Sequence, residues 1–496
     1  MTQRQIAPWL LFIVVAAVYL FFPTRVYYWD GIAFAQAIED ASGLVHPNHL
    51  IYNFAGYLFY KLLRALGFEL RALTALQILN SLLSAACAGV LFAILMDTLR
   101  SLYLSVCLTL LFAFSATWWK FSTDANAYIP SVLFLLTSFY LVLPDRRARP
   151  LLVALTFFIS MAFHQLAVLM FPVLALGVYL QDRKALNVVY FSVVSVALII
   201  ATYAYFFRLA TGVFDLARLL RWTVYYSPDA DTSFSFWSNL QYSLRGQVRL
   251  FFGGRFNLLR GLMNPFVVVL IACLLGAVLW LIFDVLRNFP KLHRPSELRL
   301  EPHQKTVLFL SLSWTAVYLV FLFFWLPQNT FYRLFYLPGL ILLLGLALTA
   351  FKDKASGSWG LAAFVVAPAL ANFLFLIYPF SHVEKYPPLA FALEMNHEWP
   401  TGTVIYYGAE NSDEGLVRYF NPSTRWKRID PKSLDLLDIE LADIYSKGGS
   451  AWLETTAIRQ LTSTVEGARW LEAHARRETS KELVDGAHEI RFIRVR

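Results

Sequence analysis

Charge is scarce in this chain. Only 15% of its 496 residues are Asp, Glu, Lys or Arg, too few to coat a water-facing surface, which usually draws roughly a quarter to a third of its residues from those four. Cysteine is scarcer still, with Cys87, Cys107 and Cys273 the only three. Each lies inside an apolar run and none has disulfide or metal-ligand spacing, so a disulfide scaffold and a cysteine zinc site are excluded. No internal repeat is present, and repeats are the usual signature of a secondary transporter. What the chain does have is 58% apolar and 17% aromatic residues, with a mean hydropathy of +0.55. That composition predicts a polytopic, all-α membrane protein.

Apolar runs recur near the ~20 residues needed to cross ~30 Å of hydrocarbon. Eleven are expected to span, at 8–23, 72–96, 101–118, 129–143, 151–163, 166–180, 187–207, 264–286, 306–325, 334–351 and 359–379. The fifth and sixth are short enough to form a tight hairpin shielded by neighbours. Asp145-Arg146-Arg147-Ala148-Arg149, Asp182-Arg183-Lys184, the basic stretch from Arg287 to Lys305 and Lys352-Asp353-Lys354 then fall on one side. Basic short loops mark the cytoplasmic face, which sets the N-terminus inside and the C-terminus outside. The first run has no small-residue cleavage site before Tyr27-Tyr28-Trp29 and reads as a retained helix.

The charge balance changes near residue 380. Residues 1–380 carry 27 Lys and Arg against 15 Asp and Glu, while 381–496 carry 15 against 18. The basic excess belongs to the membrane part, where topology and contact with membrane lipids account for it, and no nucleic-acid partner is called for. Residues 381–496 read as a small soluble α/β domain outside the membrane, entered through Tyr386-Pro387-Pro388. Strands are expected at 403–408 and 489–494, and helices at 432–445 and 464–476.

Unusual residues gather in the outward loops. An ionisable group at a bilayer edge costs free energy to desolvate and so needs a reason. Residues 24–71 hold Asp30, Glu39, Asp40, His46 and His49, with amphipathic stretches at Gly31–Ala41 and Leu50–Leu66 that suit interfacial helices. The second outward loop, Trp118 to Tyr128, adds Asp124. His164 stands at the hairpin tip, and the loop after 326 supplies Arg333. For Asp30 and Asp124 two readings stand side by side, a catalytic carboxylate or a helix N-cap. His46 suits a hydrogen bond to a phosphate or to Asp30, His49 a satisfied loop histidine, and His164 either helix packing or a cavity. Loop 208–263 holds seven arginines and no lysine. A guanidinium forks onto phosphate oxygens, so Arg333 with Arg218, Arg221 and Arg255 are candidate phosphate ligands; snorkelling to headgroups is the competing reading.

Taken as an ordered set, Trp29-Asp30-Gly31, His46-Pro47-Asn48-His49-Leu50, Trp118 to Tyr128, Phe163-His164-Gln165 and Phe324-Trp325-Leu326-Pro327 with Tyr332-Arg333 resemble the GT-C superfamily of glycosyltransferases. The nearest branches are the bacterial protein-O-mannosyltransferase-like and lipid A aminoarabinose-transferase-like ones. The resemblance covers about residues 1–380. It implies transfer of a sugar from a polyprenyl-phosphate-linked donor to an acceptor hydroxyl on a lipid, glycan or protein, at the outer face of the plasma membrane. It also implies Asp30 and Asp124 as catalytic carboxylates, with His46, His49, His164, Arg333, Arg218, Arg221, Arg255 and Tyr128 around the substrate. Some members hold a divalent cation, Mg or Mn, which Asp30 and Asp124 would bind. A surface-polysaccharide polymerase or ligase, and a transporter or flippase of a lipid-linked substrate, are the alternatives.

Overall fold

The computed structural model describes residues 3–224, 235–292, 300–349, 359–399, 402–408, 414–422, 424–485 and 488–496. Lys352-Asp353-Lys354, the 293–299 part of the basic stretch and the 225–234 part of the arginine-rich loop lie outside the described residues. The chain forms two compact units, one of Met1–Thr24 with Phe34–Pro379 and one of Arg25–Ala33 with Phe380–Arg496.

The first unit is helical. In order it holds α1 (Gln3–Phe21), most of α2 (Trp29–Glu39), α3 (Tyr52–Ala65), α4 (Ala72–Leu99), α5 (Leu102–Ala113), α6 (Ala116–Ser122), α7 (Tyr128–Leu141) and α8 (Pro150–Phe163). Then come α9 (Phe171–Asp182), α10 (Ala185–Thr211), α11 (Leu216–Thr223), α12 (Phe236–Phe251), α13 (Pro265–Leu292), α14 (Pro302–Trp325), α15 (Leu337–Thr349) and α16 (Trp359–Asn372). Among the described residues all eleven predicted segments are helical, yet the count of eleven full-length crossings is corrected. Six helices among the described residues are long and apolar enough to span, and α5 with α6, bent by 67°, makes a possible seventh. The other four apolar helical segments, Ile6–Phe21 within α1, Tyr128–Leu141, Pro150–Phe163 and Leu337–Thr349, have 10–17 residues, and at 1.5 Å per residue they fall short of ~30 Å. This is a multi-pass membrane protein.

Burial sorts the long helices. α4 runs through the centre, while α10 and α13 turn side chains such as Val193, Ile200, Val269 and Leu279 outward, as lipid-facing helices do. The predicted hairpin is also corrected: α8 packs chiefly along α7 and α10 and only slightly along α9, because the 3-10 turn Gln165–Met170 separates the two helices. α16 continues through a π-helical turn, Phe373–Ile377, which begins five residues after Pro368. Just before that turn, buried Asn372 donates to Phe114 O (2.9 Å) and Phe251 O (2.8 Å) and accepts from Gly253 N (3.0 Å). One amide thus satisfies backbone groups freed at the α5–α6 bend and at the end of α12.

In α3 the side chains of Phe54, Leu58 and Leu62, continued by Leu66 at the C-cap, recur every four residues and all stand exposed, the spacing of an interfacial amphipathic helix. Glu39 closes the predicted first loop. Its carboxylate takes two bonds from Arg71 (2.8 and 2.7 Å) and one from Ala72 N (2.9 Å), which ties the end of α2 to the start of α4.

The second unit carries a five-stranded sheet in the order β2-β1-β3-β5-β4. Its strands are β1 (Thr403–Tyr407), β2 (Arg425–Arg428), β3 (Ser450–Glu454), β4 (Ala475–Asp485) and β5 (His488–Val495). β1 pairs parallel with β2 and β3, β3 pairs antiparallel with β5, and β5 with β4. Helices α17 (Pro387–Glu398), α18 (Glu414–Phe420), α19 (Leu434–Ser446), α20 (Thr455–Thr462) and α21 (Val465–His474) complete the unit. Its core joins Val404, Tyr406, Leu441, Leu453, Leu461 and Trp470.

Candidate functional site

Basic and unusual residues segregate to opposite ends of the helical unit. At one end Arg100 bonds Glu301 at 3.0 Å, and Gln181 donates to the carbonyls of Leu141 and Leu143 at 2.8 and 3.1 Å. This end gathers the turns α4–α5, α7–α8 and α9–α10 with the start of α14. At the other end stand Asp124, Tyr128, His46, His49, His164 and Arg333.

The loop between α6 and α7, residues 123–127, is held by side chains of α4. Asn80 donates to Asp124 O and Asn126 O, both at 2.8 Å, and Gln77 to Thr24 O and Thr123 O at 2.8 and 2.9 Å. Asn126 accepts from Tyr128 N and Ile129 N at 3.2 and 3.3 Å. Asn126 therefore does the capping of α7, and the N-cap reading does not account for Asp124. The Asp124 side chain is fully buried and takes a bond from Ala125 N at 2.8 Å. Buried carbonyls need hydrogen-bond donors, and the α4 amides supply them to the backbone of this loop.

Next to this loop lies a chain of rings. His46 stacks on His49 with centroids 4.5 Å apart and an interplanar angle of 11°, and His49 faces His164 at 5.6 Å. His164 meets Tyr128 at 4.9 Å, Phe335 at 5.4 Å and Tyr332 at 5.8 Å. The first loop is docked on the α8 end: Ile51 N donates to Ala162 O (3.2 Å), Gln165 N to Asn48 O (3.1 Å), and Gln165 Nε2 and Tyr203 OH to Pro47 O (3.0 and 2.9 Å). Nδ1 of His46 accepts from Asn48 N at 3.3 Å, and Nδ1 of His164 from Leu166 N at 3.1 Å. Both rings in their neutral form then carry the proton on Nε2. Burial pulls the His46 imidazole down to about 4. Burial first, and then the neighbouring His164 and His46 rings, hold His49 well below the usual histidine range, and His49 Nδ1 has no hydrogen-bond partner among the described residues.

Arg333 lies in the 3-10 turn Phe331–Phe335 and is 1% exposed. Its guanidinium donates to Tyr336 OH at 2.8 Å and to Pro327 O at 2.7 Å, while its Nε has no partner and no carboxylate pairs with it among the described residues. α12 lies over it at Gly246, where a Cβ would come within 2.3 Å of Nε. Gln247 donates to the same Tyr336 hydroxyl at 2.6 Å. Sequence reading missed Tyr336, three residues from Arg333, and Gly246 and Gln247, which α12 brings to Arg333 and Tyr336 only through long-range packing. The other proposed arginines do not join it: Arg218 is exposed and bonds Asp215 at 3.6 Å, and Arg221 and Arg255 are exposed on α11 and in the loop after α12.

Asp30 belongs to the second unit. Arg25 N donates to Phe380 O (2.6 Å), Tyr27 stacks on Phe420 with centroids 6.2 Å apart, and a Cβ on Gly415 would meet the Trp29 ring at 3.4 Å. The Tyr27-Tyr28-Trp29-Asp30 segment is thus gripped by α18. Asp30 stands in the first turn of α2, half-buried, and among the described residues it forms no hydrogen bond and no ion pair. Burial raises its carboxyl above the ordinary value. No group of three or more His, Cys, Asp or Glu side chains forms a metal-ligand set among the described residues, so a cation on Asp30 or Asp124 would have to draw its ligands from elsewhere.

No protein-family model matches the sequence, and no curated protein does. Solved structures do. ArnT from Cupriavidus metallidurans in the apo state superposes with a TM-score of 0.61 at 12% identity, covering 98% of this chain and 97% of that one. ArnT from the same organism bound to undecaprenyl phosphate gives 0.58 at 10% identity with the same coverage. Over nearly its whole length the chain has the fold of ArnT, as the GT-C resemblance implied.

Proposed function

We propose that this protein is an integral membrane glycosyltransferase that moves a sugar from a polyprenyl-phosphate-linked donor to an acceptor hydroxyl at the outer face of the plasma membrane. The observation that carries the reading is the full-length match in fold to ArnT, one of whose structures holds undecaprenyl phosphate. Such transfer needs a base for the acceptor hydroxyl and cationic or hydrogen-bonding groups for the departing lipid phosphate. Asp30 suits the base: its carboxylate has no partner among the described residues, and burial makes it more basic than an exposed aspartate. Asp124 suits an orienting role, since α4 fixes its backbone. The Nε2 protons of His46 and His164 suit donors to phosphate or sugar oxygens, and Tyr128 and Tyr332 pack against His164 and hold its ring in place. His49 and Arg333 are assigned to the walls of the site, with Arg218, Arg221 and Arg255 contacting lipid phosphates near it. No step in this scheme runs through a cation.

Mass spectrometry of envelope glycans, lipids and glycoproteins from a deletion strain tests the proposal. A glycosyl group should disappear and return with the wild-type gene but not with Asp30→Asn. An unchanged glycan profile in the deletion strain would contradict it.

A further inference from the structure

A second site lies at the opposite end of the helical unit. A cavity of about 480 Å³ opens between the end of α4 and the α7–α8 loop, a volume within the range of small-ligand sites. Four arginines line it, Arg100, Arg146, Arg147 and Arg149, against two carboxylates, Asp97 and Asp145. The carboxylates are already engaged. Arg146 bonds Asp97 at 2.7 Å, and Arg100 reaches Asp145 at 3.9 Å and Glu301 at 3.0 Å. Arg147 and Arg149 are exposed and, among the described residues, form no ion pair or hydrogen bond through their side chains. The cavity therefore carries two unmatched positive charges.

The backbone beneath these arginines is ordered by specific bonds. Gln181 donates to Leu141 O at 2.8 Å, Leu143 O at 3.1 Å and Arg146 O at 3.4 Å, so one half-buried amide shapes the loop. The Arg146 guanidinium lies 3.6 Å from the centroid of the Tyr140 ring, and its Nε is buried without a partner. Arg146 is held in this way beside the exposed Arg147 and Arg149, and a cluster of guanidiniums matches the oxygens of a phosphate group, which arginine binds in bidentate fashion.

Position narrows the source. Asn80, which bonds the Asp124 loop, and Asp97, which lines the cavity, stand 17 residues apart on α4, one of the helices long enough to span, about 26 Å at 1.5 Å per residue. The arginine cavity thus sits at the other membrane boundary from the ring cluster around His164. Basic pockets between helices at such a boundary attract the headgroups of anionic lipids. We propose that this cavity binds the phosphate of an anionic phospholipid headgroup in the leaflet opposite the candidate transfer site. The proposal stands apart from the transferase reading and is tested without any activity.

The experiment is native mass spectrometry of the full-length protein in detergent, titrated with dioleoylphosphatidylglycerol or dioleoylphosphatidylcholine. Phosphatidylglycerol should bind in preference. The double variant Arg147→Gln/Arg149→Gln should weaken its binding by about tenfold or more; both side chains are exposed and unpaired, so the fold stays intact. Arg183→Gln/Lys184→Gln, at the same end but outside the cavity, should leave it unchanged. Equal binding of the two lipids, or equal loss in both double variants, would overturn the site. Displacement of phosphatidylglycerol by millimolar inorganic phosphate would overturn the lipid as its occupant, and failure to displace it supports the lipid.

Discussion

Asp30 combines three properties seldom found together in a surface aspartate: it is half-buried, it has no partner among the described residues, and its carboxyl is raised by desolvation. A carboxylate in that state is a stronger base, and it is protonated at a higher pH than an exposed one. The acid limb of the transfer rate should therefore fall above the ordinary aspartate value of about 3.9, as a pH profile of initial rates would show. Asp30→Asn should retain expression and membrane insertion and lower transfer by about 10² or more. His46 predicts a second pH effect of opposite kind. Its folded-state value of about 4 lies below the usual 6.5, so the unfolded chain binds the proton more readily. Its contribution to stability is then present above about 6.5 and is lost as pH falls from there towards 4. Thermal unfolding between pH 7 and pH 5 should show a decline that His46→Gln reduces.

At the scale of elements, the candidate site depends on loops held by single amides. Asn80 serves two buried carbonyls at once, and Asn80→Ala would leave Asn126 O unsatisfied and Asp124 O with only the long 3.4 Å bond from Asn126 Nδ2, at a cost of about 1–3 kcal/mol. That variant should melt lower and transfer more slowly even though Asn80 touches neither Asp124's carboxylate nor the ring cluster. Several of these elements were legible in the sequence. The α3 stripe of Phe54, Leu58 and Leu62 followed from periodicity, and β1, β5, α19 and α21 from alternation and helical spacing. β2, β3 and β4 were not: Arg425–Arg428 is short and mostly charged, and Ser450–Glu454 gains its strand from pairing between β1 and β5. Nor could spacing reveal that Gly246 lets α12 lie over Arg333, or that Tyr27 and Trp29 pack with the C-terminal unit. Those contacts join residues far apart in the chain.

Across the whole molecule, the order of apolar runs and polar loops carried the fold further than residue identity did, since the ArnT structures share only 10–12% of their residues with this chain. Helix lengths were less legible, because a short apolar helix and a full crossing differ by a few residues and by what packs around them. The two-ended arrangement makes a topological prediction. In a cysteine-free background, Asp215→Cys should react with an impermeant thiol reagent in intact cells, and Arg147→Cys only after the membrane is opened. The central claim is transfer from a polyprenyl-phosphate sugar. Its most direct test is the release of undecaprenyl phosphate from a labelled undecaprenyl-phosphate pentose or hexose by membranes containing the full-length protein. Release should require the wild-type chain and be lost in Asp30→Asn. Full release in Asp30→Asn membranes, or none from any such donor with the wild-type protein, would contradict the account.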